Sequence, residues 1–147
     1  MKIQFETAKK RIAILWFIVA ATIFALMFLQ TINGKFENKV SEAWGWFCQN
    51  LLPTLSLIIS VFIFDNAANN GNSRMIDKFH FNIAFFISLF YLLVVTSVVL
   101  AQPFAKTSTI VWLQQSNIYL APLQGIATGA IGIFFIKKSS DSQAADT

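Results

Sequence analysis

Residues 81–101 read FNIAFFISLFYLLVVTSVVLA. Fourteen of them are Phe, Ile, Leu or Val and none is charged. Each of those four types favours membrane insertion, by roughly 0.3–0.6 kcal/mol near a helix centre. A spanning helix needs roughly 20 largely apolar residues, so the stretch predicts one. Working outward, three more runs of the same kind follow: Ile12–Gln30, Trp46–Phe64 and Ile118–Ile136. All eleven Lys and Arg and all seven Asp and Glu lie outside the four runs or at their edges. The predicted fold class is therefore all-α, a polytopic membrane protein of four transmembrane helices. One domain spans residues 1–138, and residues 139–147 form a small polar tail, expected to be disordered.

Composition supports this reading. The apolar share is 56% and the charged share 12%, against about 45–50% and about 25% in soluble domains. Sixteen Phe in 147 residues is more apolar surface than a soluble core of this size can hide. A lipid setting removes that demand and asks only that backbone groups be paired, which helices do internally. Lys9, Lys10 and Arg11 before an apolar stretch resemble the start of a signal peptide. The stretch is too long for one, however, and no small-residue cleavage motif follows Gln30. It is read as an uncleaved first helix. A net charge of +4 reflects topology, since no segment outside the runs is large enough to bind nucleic acid directly. Cys48 is the single cysteine, which excludes an intrachain disulfide.

Positive residues gather in cytoplasmic segments of membrane proteins. Lys2, Lys9, Lys10, Arg11, Arg74, Lys78, Lys137 and Lys138 occupy the two termini and the second loop, eight in all. Lys35, Lys39 and Lys106 occupy the first and third loops, only three. The expected topology places both termini in the cytoplasm. Trp44, Trp46 and Trp112 fall toward the outer interface and Trp16 nearer the inner. The third loop is expected over Gln102–Asn117, its patch Ile110–Leu113 resting in the outer interface. Residues 65–77, rich in Asn, read as a polar turn, and no internal repeat is visible.

On a helical wheel with Ala121 at zero, Gly125, Thr128 and Gly132 fall within about 40°, Gly129 near about 80° and Gln124 near about −60°. Ridges of small residues let backbones approach closely where lipid supplies no hydrophobic drive. Ala121, Gly125, Gly129 and Gly132, with Gln124 and Thr128 beside them, are thus a predicted packing or oligomer face. Whether it meets a helix of the same chain or of a neighbour stays open. On the second run Gln49, Pro53, Ser56 and Ser60 form a similar seam bordered by Asn50 and Thr54. Its hydroxyls either bond their own helix's carbonyls or face the fourth helix or a polar cavity. Pro53 removes a backbone donor and should kink the helix. The third run, dense in Phe, Leu and Val, reads as the most lipid-exposed.

Charged groups inside a membrane are costly and mark function; here there are none. His80 and Cys48 belong to opposite ends of their helices, so they share no metal site, and no nucleophile–base–acid set exists. The expectation is a non-enzyme with no cofactor and no metal. His80 and Cys48 read as structural. Asp65 and Asp77 with Arg74 and Lys78 read as a solvated loop, where Arg74, Asp77 and Lys78 are the candidate contacts for a cytoplasmic partner.

The four-span layout, together with Trp44-Gly45-Trp46 and Leu51-Leu52-Pro53-Thr54-Leu55 at the start of the second helix, resembles the small membrane subunits of bacterial phage-defence and phage-exclusion systems, such as the Kiwa membrane component. That resemblance implies an inner-membrane sensor or effector working with a cytoplasmic protein. Four helices with short loops offer little surface for a task alone, so a homo-oligomer, a dimer or tetramer, is expected. An oligomeric pore, holin-like or a regulated ion channel, is the alternative. A small-solute or lipid carrier ranks behind both, for want of a charged binding group.

Overall fold

The computed structural model describes residues 2–67 and 75–143, with side chains over 4–63 and 78–135. Four helices carry the fold: α1 (Phe5–Ile32), α2 (Val40–Ala67), α3 (Lys78–Ala101) and α4 (Thr109–Gln143). Each is long and apolar enough to cross a membrane. A three-residue strand β1 (Lys2–Gln4) pairs antiparallel with β2 (Met75–Asp77), a small addition to an otherwise all-α chain.

The helices outrun the apolar stretches that announce them. α1 starts at Phe5, so Glu6, Lys9, Lys10 and Arg11 are helical. α4 starts at Thr109, which corrects the expectation of a loop over Gln102–Asn117. Ile110 and Leu113 are buried, and the Trp112 indole donates to the Val98 carbonyl at 3.0 Å. The end of α3 thus offers this patch a protein surface, and Ile110, Trp112 and Leu113 fold onto it. A 3-10 turn at Gln102–Phe104 makes the link. The expected disordered tail is helical in its backbone as far as Gln143; residues 144–147 lie outside the described residues.

α1 ends through a backbone motif at Gly34. The Gly34 N–H donates to Thr31 and the Lys35 N–H to Gln30, both at 3.0 Å, with Gly34 at φ 69°. This is the left-handed cap that glycine adopts without strain.

Around the bundle the order is α1, α2, α4, α3, with the closest packing between α3 and α4. The neighbours α2 and α4 run parallel, as do α1 and α3. Lys9, counted among the positive residues that set topology, is 2% exposed. Its ammonium pairs with Glu6 at 3.0 Å and lies 4.8 Å from the Phe62 ring centre. At the same end, which carries the β1–β2 ribbon, Phe5, Phe81, Phe85, Phe134 and Phe135 interlock with ring centres 5.3–6.4 Å apart. At the opposite end Phe24, Trp44 and Phe47 form a second aromatic cluster.

α3, expected to be the most lipid-exposed, is the most buried. Its most apolar window is 39% buried against 28% for α4. Tyr91, Leu92, Val95 and Val99 sit in the core. Cys48, read as structural, is exposed.

Candidate functional site

The polar groups of the bundle concentrate between α2 and α4, and Pro53 explains why. A proline inside a helix withdraws the N–H that would bond the carbonyl four residues back. Here that carbonyl belongs to Gln49. Gln124 of α4 donates its amide Nε2 to it at 2.9 Å. In the same turn the Tyr91 hydroxyl, from α3, donates to the Asn50 carbonyl at 2.7 Å. The neighbouring helix α4 thus supplies the freed carbonyl with a donor, the condition under which a membrane helix tolerates proline, and α3 adds a donor one residue on.

A buried layer continues from there. Asn50 Nδ2 donates to Asn117 Oδ1 at 3.0 Å and to its own helix's Trp46 carbonyl at 2.8 Å. The Trp46 indole donates to Ser116 Oγ at 3.0 Å, and that hydroxyl donates in turn to the Leu113 carbonyl at 2.6 Å. Thr54 and Thr128 share a hydroxyl–hydroxyl bond of 2.7 Å. Asn50, Thr54 and Ser116 are all buried. The side chains of this layer bond across the two helices and to nearby carbonyls, so the layer specifies how α2 meets α4.

The two predicted seams lie elsewhere on the same helices. Gln49, Pro53, Ser56 and Ser60 are all exposed, turned by about 140° from the buried face of α2. Ala121, Gly125 and Gly129 are exposed and Gly132 half-exposed, about 120° from the buried face of α4. A Cβ at Gly125, Gly129 or Gly132 would meet nothing within 4 Å. Among the described residues, then, the small ridge packs against nothing, and the residues that join the helices are its flanks, Gln124 and Thr128. On α2 the bordering Asn50 and Thr54 make the side-chain contacts, and the seam contributes only the Gln49 carbonyl, bonded by Gln124. Ser60 bonds its own helix, at the Ser56 carbonyl, 2.8 Å.

Because Gln124 flanks one seam and bonds the carbonyl of Gln49 in the other, the seams lie side by side. They form one outward surface of small and polar groups. The rest of the outward surface is bulky, with Ile14, Phe17, Phe28, Phe86, Phe90 and Ile133 all exposed.

Sequence reading missed Trp46, Tyr91, Ser116 and Asn117 as members of the layer. A usable signal existed for Tyr91, the lone tyrosine in its apolar run, whose hydroxyl needs a partner in lipid. Of the candidate partner contacts, Lys78 opens α3 and the backbone of Asp77 pairs with Lys2 in the ribbon. Arg74 lies outside the described residues. Among the described residues no group of three His, Cys, Asp or Glu is placed to hold a metal ion. No family model, curated protein or solved structure matches the chain.

Proposed function

We propose that this chain is a multi-pass inner-membrane subunit with no catalytic chemistry of its own, both termini cytoplasmic. It self-associates as a dimer or tetramer through the α2–α4 face and works with a cytoplasmic protein partner as a membrane sensor or effector. A role in anti-phage defence is the setting implied by its resemblance to small defence subunits. The observation that carries self-association is the outward surface of Gln49, Ser56, Gly125 and Gly129, where a lipid-facing helix would carry bulky apolar groups. Small residues and hydroxyls are what membrane helix interfaces use, and closed symmetry is the usual result for identical subunits. The orientation rests on the eight-to-three distribution of positive residues.

A pore is the second reading, favoured by the amide and hydroxyl groups on that same surface. The phenylalanine cluster fills the ribbon end of the single bundle, so a conduit would run between subunits rather than through one.

Mass measurement of the purified chain in nanodiscs tests the proposal. The expected result is a dimer or tetramer, with Gly129→Leu shifting the mass to monomer while helicity and melting stay as in the parent. Because a side chain at Gly129 has open space within the chain, loss of assembly then reports the interface and not misfolding. A monomeric parent protein overturns self-association. If Ile126→Ala disrupts assembly and Gly129→Leu does not, the face is wrong. Ion flux from the purified chain in liposomes selects the pore.

A further inference from the structure

A groove of about 370 Å³ runs along the outside of α1 against α2, lined by Lys10, Ala13, Ile14, Phe17, Ile18 and Phe62. The five α1 residues follow the spacing i, i+3, i+4, i+7, i+8, one stripe of a helix. From Lys10 to Ile18 it extends about 12 Å at ~1.5 Å per residue. Half of a hydrocarbon core is about 15 Å. The stripe thus has one cation at the ribbon end, then apolar wall for most of one leaflet.

Among the described residues the charges at the mouth are not balanced from within. Glu6 is the nearest acid on α1, and it pairs with Lys9 at 3.0 Å. Among the described residues neither Lys10 nor Arg11 makes an ion pair, and both side chains are exposed. One exposed cation, Lys10, therefore lines the end of an apolar groove, and a second, Arg11, follows it on the same helix. The grooves between α3 and α4 have no Lys or Arg in their walls.

We infer that the α1–α2 groove is a binding site for an anionic phospholipid, its phosphate held by Lys10 and Arg11 and one acyl chain laid along Ala13, Ile14, Phe17 and Ile18 against Phe62. Basic clusters at the membrane surface between spanning helices recognise anionic headgroups by charge, and the apolar wall supplies the contact a soluble phosphate would lack. The inference rests on the proposed membrane insertion, with the start of α1 at a headgroup layer.

The test uses the full chain in nanodiscs made from equal parts phosphatidylglycerol and phosphatidylcholine, followed by native mass spectrometry of the lipids retained. Expected is a preference for phosphatidylglycerol of about tenfold or more, since each basic residue near an anionic surface contributes about fivefold. Lys10→Gln with Arg11→Gln should bring the ratio close to unity. Lys35→Gln with Lys106→Gln, which removes the same charge from the opposite end, should leave it unchanged. Phe17→Ala strips one wall and should lower retention of both lipids while keeping the headgroup preference. Equal preference in the parent and the Lys10/Arg11 variant overturns the inference, as does a parent chain that inserts but shows no preference. A chain that stays out of the bilayer overturns the membrane reading along with it.

Discussion

The bond from Gln124 to the carbonyl freed by Pro53 makes a quantitative claim. Gln124→Leu removes the Nε2 donor 2.9 Å from the Gln49 oxygen and leaves that carbonyl without its usual helical partner. Hydrogen bonds between membrane helices average about 0.6 kcal/mol and reach about 1.7 kcal/mol. An orphaned carbonyl in a water-poor environment adds to that loss, so the expected cost is about 1–2 kcal/mol. In a Pro53→Ala background residue 53 regains its N–H, which can return to Gln49. There Gln124→Leu should cost less than about 0.5 kcal/mol, because its acceptor is already satisfied. The coupling energy of this double-mutant cycle is therefore about 1 kcal/mol, the size expected for groups in one network. Reversible unfolding in mixed micelles, titrated with a denaturing detergent, measures all four proteins. If Gln124→Leu costs as much in the Pro53→Ala background as in the parent, the amide does not serve the proline break and this reading of the site is wrong.

Tyr91→Phe removes the donor to the Asn50 carbonyl at 2.7 Å and should cost about 0.6–1.7 kcal/mol in the same assay; no loss means the hydroxyl is not needed there. Ser88 is fully buried and its hydroxyl has no partner among the described residues. Ser88→Ala should therefore raise stability by about 1 kcal/mol, and a loss of that size would show that the hydroxyl is satisfied in the membrane. For topology, a cytoplasmic reporter should be active after Lys138 and silent within residues 34–40. Activity at the loop site would reverse the assigned orientation.

The four helices long and apolar enough to cross a membrane are legible in the sequence from the absence of charge over residues 12–30, 46–64, 81–101 and 118–136. Their ends were less visible. Hydropathy stops where lipid stops favouring a residue, whereas a helix stops where its neighbours stop offering contact. That is why α4 begins at Thr109, with Trp112 reaching Val98. The kink residue was legible too, since the rule that Pro53 strands the carbonyl of Gln49 needs no coordinates. Which side chain answers it does need them, because Gln124 is distant in sequence.

Periodicity also found the side of α4 shared by Ala121, Gly125 and Gly129, and the side of α2 shared by Gln49, Ser56 and Ser60. It carried no sign for inside or outside. In water an apolar stripe points to the core, but lipid is as apolar as the core, so hydrophobicity no longer distinguishes the two. For that reason α3, richest in Phe and Val, looked lipid-facing and is the most buried helix, while the small seams looked packed and are open. The sequence alone determined the number of long apolar helices, the absence of charge from their apolar runs and the positions of the polar residues. Only the tertiary structure decided which of those residues meet, because helix order and rotation in a bilayer are set by packing and by the pairing of buried donors and acceptors. Neither has a local signature along the chain.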